Sequence, residues 1–109
     1  MITFEGKEIE MNKNEILNYL KSNKQYLKDN FHLIKIGLFG SFTKDMQTAE
    51  SDIDLLIEFE ADTKNISDKK EELKHILKNK FDRNVDICRE KYLKAYIKEH
   101  IIRETLYVF

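Results

Sequence analysis

Two short apolar runs joined by a polar loop, residues 34–39 and 53–59, constrain this chain more than any other feature. Each is too short for a stable helix and is rich in Ile, Leu and Phe, so each reads as a strand. The first run ends in Gly40-Ser41. The second opens directly after Ser51-Asp52 and carries Asp54, so the two together spell G-S-x10-D-x-D. Side chains alternate along a strand, which turns Asp52 and Asp54 to one face and Ile53, Leu55 and Ile57 to the other, toward a core. Two neighbouring carboxylates repel, and each then tends to hold a proton. A divalent cation removes that cost. Hard oxygen ligands suit Mg²⁺, which keeps positions for water and substrate phosphates. Glycine lets a backbone approach closely, and an N–H beside a serine hydroxyl can bond a phosphate oxygen. The combination points to a metal-bound nucleotide and to catalysis. The competing reading is an exposed edge that happens to carry Asp-x-Asp. Either half of the pattern alone would support no more than that.

At 109 residues the chain reads as one domain, too short to hold a second, acceptor-binding domain. Nineteen Lys and Arg balance 20 Asp and Glu to a net charge of −1. No global basic field draws it to nucleic acid, so direct nucleic-acid binding is not expected, although lysines on the helices leave room for a local patch. Cys88 is the single cysteine, which excludes an intrachain disulfide. With no signal-like segment and no long apolar run, the expected setting is the cytoplasm, away from membranes. Cys88 follows Val85-Asp86-Ile87 in an expected strand and reads as a wholly or partly buried structural thiol. Gly37 and Gly40 both lie beside the proposed phosphate site. Gly37 also reads as a close-packing position.

In chain order, residues 1–11 alternate loosely around Glu5-Gly6-Lys7 and suggest a small hairpin or edge strand. Asn12 or Asn14 can cap a helix over residues 13–30, with Ile16, Leu17, Leu20, Leu27 and Phe31 on its apolar stripe. His32 at its exit reads as a surface or packing residue. The spacer 42–51 should hold a short helical turn whose N-terminus faces the phosphate site. Lys44 within it can reach a phosphate or simply sit at the surface. Asn65 or Ser67 can cap a second helix, about 66–80, in which His75 is structural or exposed. In the next strand Val85 and Ile87 face the core and Asp86 the opposite side. Spacing alone leaves open whether Asp86 adjoins Asp52 and Asp54 or lies at an edge. A last helix, 91–104, places Leu93, Tyr96, Ile97, His100 and Ile101 in register, with His100 read as packed. The apolar end Leu106-Tyr107-Val108-Phe109 can pack on the core, form a final strand or offer a partner-binding patch.

Taken together, Gly40-Ser41, the ten-residue spacer, Ser51-Asp52-Ile53-Asp54-Leu55-Leu56-Ile57 and Val85-Asp86-Ile87 resemble the minimal nucleotidyltransferases of the polymerase-β-like superfamily. The resemblance implies an α/β (α+β) fold with a small mixed sheet flanked by helices. It implies two Mg²⁺ ions bound by Asp52, Asp54 and Asp86, a triphosphate of ATP held by Gly40 and Ser41, and nucleotidyl transfer. Ser51 and Lys44 complete the expected nucleotide-binding set. Asp86 would also help accept the acceptor's proton. Many members read Gly-Ser-Phe-Ala-Arg-Gly where this chain reads Gly40-Ser41-Phe42-Thr43-Lys44-Asp45, so Lys44 keeps a charge without an arginine fork and Asp45 replaces a glycine. Short members are commonly antitoxins paired with a HEPN-family ribonuclease toxin, and transfer of AMP from ATP to a toxin tyrosine is the implied activity. An antitoxin acting by binding alone, or transfer to a small molecule such as an aminoglycoside, are the alternatives. Self-association is left open.

Overall fold

The computed structural model describes residues 11–109 throughout, and within the first ten residues the backbone of two short strands. These strands, β1 (Ile2–Phe4) and β2 (Lys7–Ile9), pair antiparallel with Ile2 opposite Ile9. Their pairing agrees with the hairpin or edge strand expected from the sequence, and Glu5 and Gly6 lie outside the described residues.

Asn12 caps the first helix, its side-chain oxygen accepting the Asn14 and Glu15 N–H groups at 3.0 and 3.2 Å. The helix expected over 13–30 is two helices, α1 (Lys13–Ser22) and α2 (Lys24–Phe31). The break falls at Asn23, whose side-chain amide donates to the Tyr19 carbonyl at 2.8 Å and so offers the backbone an alternative to helical pairing. The apolar stripe survives the break: Ile16, Leu20, Leu27 and Phe31 are all buried. His32 ends α2 in the left-handed region, φ 56°, exposed and 3.7 Å from Glu60.

Four strands make the main sheet: β3 (Leu33–Phe39), β4 (Ile53–Phe59), β5 (Val85–Arg89) and β6 (Leu106–Tyr107). Their order is β5-β4-β3-β6. β3 is antiparallel to β4 and to β6, whereas β5 is parallel to β4, so the sheet is mixed and the fold is α+β. A parallel neighbour requires a crossover. Helix α3 (Ile66–Phe81) supplies it, burying Leu73, Leu77 and Phe81. Asn65 occupies the N-cap position but makes no side-chain cap hydrogen bond; its carbonyl accepts the Lys69 N–H at 3.0 Å.

One face of the sheet is the core. Ile36 and Leu38 of β3, Leu55 and Ile57 of β4, and Val85 and Ile87 of β5 lie on it, beneath the stripes of α1, α2 and α3. The last helix departs from expectation. α4 (Ala95–Glu104) starts later than the sequence suggests, because Glu90–Tyr92 form a 3-10 turn, and it buries none of its residues fully. His100, expected to be packed, is 73% exposed. The helix is fastened at its far end by Thr105, which is 8% exposed and donates through its hydroxyl to the Ile101 carbonyl at 2.6 Å. Two of the expected roles for the apolar end hold together. Leu106 and Tyr107 form β6, while Val108 and Phe109 pack against the core.

Gly37 makes that docking possible. A Cβ placed there would stand 2.5 Å from the Thr105 methyl, 3.0 Å from the Tyr107 ring and 3.1 Å from the Leu106 carbonyl. Gly37→Ala should therefore lower stability by about 1–3 kcal/mol through overpacking, seen as a lower urea midpoint. An unchanged midpoint would show that the α4–β6 end gives way freely.

Candidate active site

The carboxylates are positioned by strand register. Asp54 lies directly opposite Asp86 across the parallel β4–β5 pair, and opposite Phe39 on its other side, one residue before Gly40. The alternation that sends Ile53, Leu55, Val85 and Ile87 into the core sends Asp54 and Asp86 to the other face. Asp86 therefore adjoins Asp54 although β5 is the edge strand of the sheet, so the two placements that the sequence set against each other hold together.

Gly40 brings the Gly-Ser half of the motif against the acidic half. Its φ is +82°, and a Cβ at this position would run into the Asp54 carboxylate. Both facts demand glycine. Gly40, Ser41 and Phe42 then form a single 3-10 turn. Phe42 is wholly buried and roots the turn, and Thr43 closes it by donating its hydroxyl to the Gly40 carbonyl at 2.7 Å. The helical turn expected within residues 42–51 lies earlier, at Gly40–Phe42, and only its last residue falls in that spacer. Asp45 adopts the left-handed conformation, φ 54°, that a glycine would take freely. Its carboxylate is 3.2 Å from Lys13 Nζ on α1, which tempers the negative charge it adds to this loop.

The remaining expected residues are occupied within the chain. Ser51 Oγ accepts the Thr48 N–H at 2.8 Å and so holds the end of the spacer. Lys44 Nζ lies 3.2 Å from Glu104 Oε2. Two residues that matter here gave no sequence signal. Arg83 donates to the Thr48 and Ser51 carbonyls at 2.9 and 2.8 Å and lies over the Phe42 ring, pinning the spacer just before Asp52. Glu104, on α4, reaches the carboxylate face from the far end of the chain. Neither stood out from a solvated charge, because both act through long-range contacts.

The electrostatics follow from this crowding. Burial, then the charges of Asp86, Asp52 and Glu104, push the Asp54 carboxyl up to about 6. Farther along β4, burial alone would raise Glu58. Hydrogen bonds from the Phe59 N–H, the Arg89 guanidinium and the Lys91 N–H outweigh it and hold Glu58 below the usual range. Burial raises the Cys88 thiol, in keeping with a structural cysteine. A recess of about 360 Å³ opens beside Asp52, lined by Glu50, Lys78, Arg83 and Asn84 among others. A larger cavity, about 740 Å³, lies on another side of Arg83, between α1, Ala49 and the end of α3. It contains none of the motif carboxylates. The motif carboxylates lie instead at the strand ends, where their charges repel.

Asp52, Asp54 and Asp86 offer the hard oxygen donors a divalent cation requires, and their mutual repulsion favours one. Among the described residues, however, no three acidic, imidazole or thiol side chains converge into a finished ligand set. A cation would have to draw the side chains together. The raised Asp54 has a testable sign. Between its ordinary value of 3.8 and about 6 the folded state holds a proton that the unfolded state has lost, so stability falls as pH rises through that window. Thermal unfolding in chelator should show this fall in the parent protein. Asp54→Asn should flatten it and raise the midpoint at pH 7, and an identical pH profile in both would refute the repulsion.

The nucleotidyltransferase domain family matches residues 7–108. Protein adenylyltransferase MntA of Thermococcus cleftensis is 32% identical over 94 residues, covering 86% of this chain and 93% of that protein. A Methanocaldococcus jannaschii chain provisionally named protein adenylyltransferase MJ1379 is 34% identical over 95 residues, covering 86% and 95%. Among solved structures, one provisionally assigned as a minimal nucleotidyltransferase superposes with a TM-score of 0.72 at 25% identity, covering 91% of this chain and 98% of that one. A toxin–antitoxin crystal structure with AMP-PNP shares the fold at a TM-score of 0.64 and 22% identity, covering 82% and 72%. Register, glycine turn and family match agree, and the chain belongs to the nucleotidyltransferase domain family.

Proposed function

We propose that this chain transfers AMP from ATP to a tyrosine hydroxyl of a HEPN-family toxin and so acts as its antitoxin. The observation that carries the reading is the placement of Asp54 opposite Asp86 with Gly40 backed against Asp54. The names of the relatives, protein adenylyltransferases, support AMP as the transferred group. Solved complexes of MntA with HepT, and of a tri-AMPylated HEPN toxin with its MNT antitoxin, support the partner. The cytoplasm is the setting we infer, and no helix among the described residues is long and apolar enough to cross a membrane.

In this reading Asp52, Asp54 and Asp86 would hold two Mg²⁺ ions. These would polarise the α-phosphate and lower the pKa of the acceptor hydroxyl. Gly40 and Ser41 cradle the triphosphate through backbone N–H and hydroxyl, and Lys44 adds a positive charge at its edge. Ser51 acts mainly by shaping the spacer. Asp86, across from Asp54, accepts the proton as the acceptor oxygen bonds to the α-phosphorus and the bond to the β-phosphate oxygen breaks. Pyrophosphate leaves. The recess of about 360 Å³ touches the three carboxylates at Asp52 alone, so the nucleotide would lie on the carboxylate face of the sheet, with the acceptor supplied by another protein.

One observation favours a second reading, neutralisation by binding alone: the three carboxylates do not converge as they stand, and Lys44 is already paired. Label transfer from ATP separates the two. With the α-phosphate labelled, a protein acceptor should become labelled, whereas γ-labelled ATP should leave it blank. Asp54→Asn and Asp86→Asn should each cut transfer by about 10²-fold or more while leaving the fold intact. Full transfer by both variants would overturn the mechanism. Neutralisation without transfer in the parent protein would leave the binding-only antitoxin.

A further inference from the structure

Glu104 is a fourth carboxylate on the acidic face, and it arrives by a route that the motif does not contain. α4 ends at Glu104, and the next residue, Thr105, is locked over Gly37. Gly37 lies on β3 opposite Leu56, two residues from the Phe39–Asp54 pair. The docking therefore carries the Glu104 side chain toward Asp54, whose proton affinity its charge helps to raise. The Glu104 side chain is only 18% exposed. Its Oε2 atom is fully buried and makes no aligned hydrogen bond. What it has instead is charge: Lys44 Nζ at 3.2 Å and His100 Nε2 at 3.5 Å.

Lys44 is half-exposed and stands two residues after the Gly40–Phe42 turn. Its neighbour Asp45 is engaged by Lys13. The ion pair that Lys44 makes among the described residues is the one with Glu104. A carboxylate with one buried oxygen thus holds a half-exposed ammonium beside the turn where a triphosphate would sit.

We propose that Glu104 is a positioning residue that parks Lys44 in the nucleotide-free site, and that an incoming polyphosphate takes Lys44 from it. The inference rests on the proposed reading of Gly40 and Ser41 as the phosphate cradle. In the free protein the pair keeps the Lys44 ammonium from collapsing onto Asp52, Asp54 or Asp86, which leaves those carboxylates open. On binding, Lys44 exchanges one anionic partner for another. Glu104 therefore sets how tightly polyphosphate binds, acting through Lys44. Its effect should appear in affinity far more than in turnover.

A double-mutant cycle tests this. Mg²⁺·AMP-PNP and inorganic triphosphate without metal are titrated by calorimetry into the parent protein, Glu104→Gln, Lys44→Met and the double variant. Thermal unfolding confirms that each is folded. Glu104→Gln should tighten both ligands about two- to fivefold, the scale of a partly exposed ion pair. In the Lys44→Met background that gain should shrink at least twofold, leaving only direct repulsion between Glu104 and phosphate. An equal gain in both backgrounds would overturn the exchange. A parent protein that binds neither ligand would overturn both the exchange and the reading of the phosphate cradle. Should Glu104→Gln fail to fold, the parent protein still decides. The Lys44 side-chain ammonium resonance, assigned by its loss in Lys44→Met, should shift on saturation with triphosphate. A resonance that stays in place while triphosphate binds would refute the exchange.

Discussion

The parallel pairing of β4 with β5 is the constraint on which the rest depends. It brings Asp54 and Asp86 to the same level of the sheet, and the same register seals Leu55 against Ile87 on the opposite face. Core and acidic site are two sides of one alignment. A slip of one residue would turn carboxylates into the core and aliphatic side chains to water, so the apolar face specifies the site as firmly as it specifies the fold. The folded chain tolerates the resulting repulsion because burial of the apolar face outweighs it.

The cations around the site are arranged so as not to cancel that repulsion. Arg83 is committed to the Thr48 and Ser51 carbonyls. Arg89 gives both Nε and Nη2 to Glu58 Oε2, at 2.9 and 2.7 Å. Lys35 is drawn to Glu90 at 3.0 Å, and Tyr107 donates to the same carboxylate at 3.1 Å. Each of these charges stabilises the frame: the spacer, the start of the turn after β5, and the β6 edge. The negative potential at Asp54 is left standing, and an external cation has something to neutralise.

Much of this was readable in the sequence, for reasons that lie in local periodicity. The alternation in residues 34–39, 53–59 and 84–88 marks strands, and their in-out pattern assigns each aspartate a face. The helical stripes of α1 to α3 are equally local. Adjacency of Asp86 was harder, since register is a tertiary property. A strand, a sixteen-residue helix and another strand in sequence do imply a parallel neighbour, and that order was the available signal. The break at Asn23 escaped because the stripe runs through it unbroken. α4 misled in a different way. Its spacing is that of a core helix, yet Tyr96 is 80% exposed, because periodicity reports an apolar face and cannot report what covers it. The cluster around Glu104 was invisible to any window of sequence, its members lying 60 residues apart at Lys44 and Glu104.

Asp45 shows how a sequence signature and a backbone requirement can part company. The left-handed turn after Lys44 survives the loss of its glycine, because aspartate is among the few residues that enter that region at small cost. What a chain of this kind must preserve at that place is a torsion angle, which a short list of residues can satisfy. Asparagine belongs on that list, whereas a β-branched residue does not. A search pattern written in letters and demanding glycine there would discard this chain, and one written in allowed backbone states would keep it.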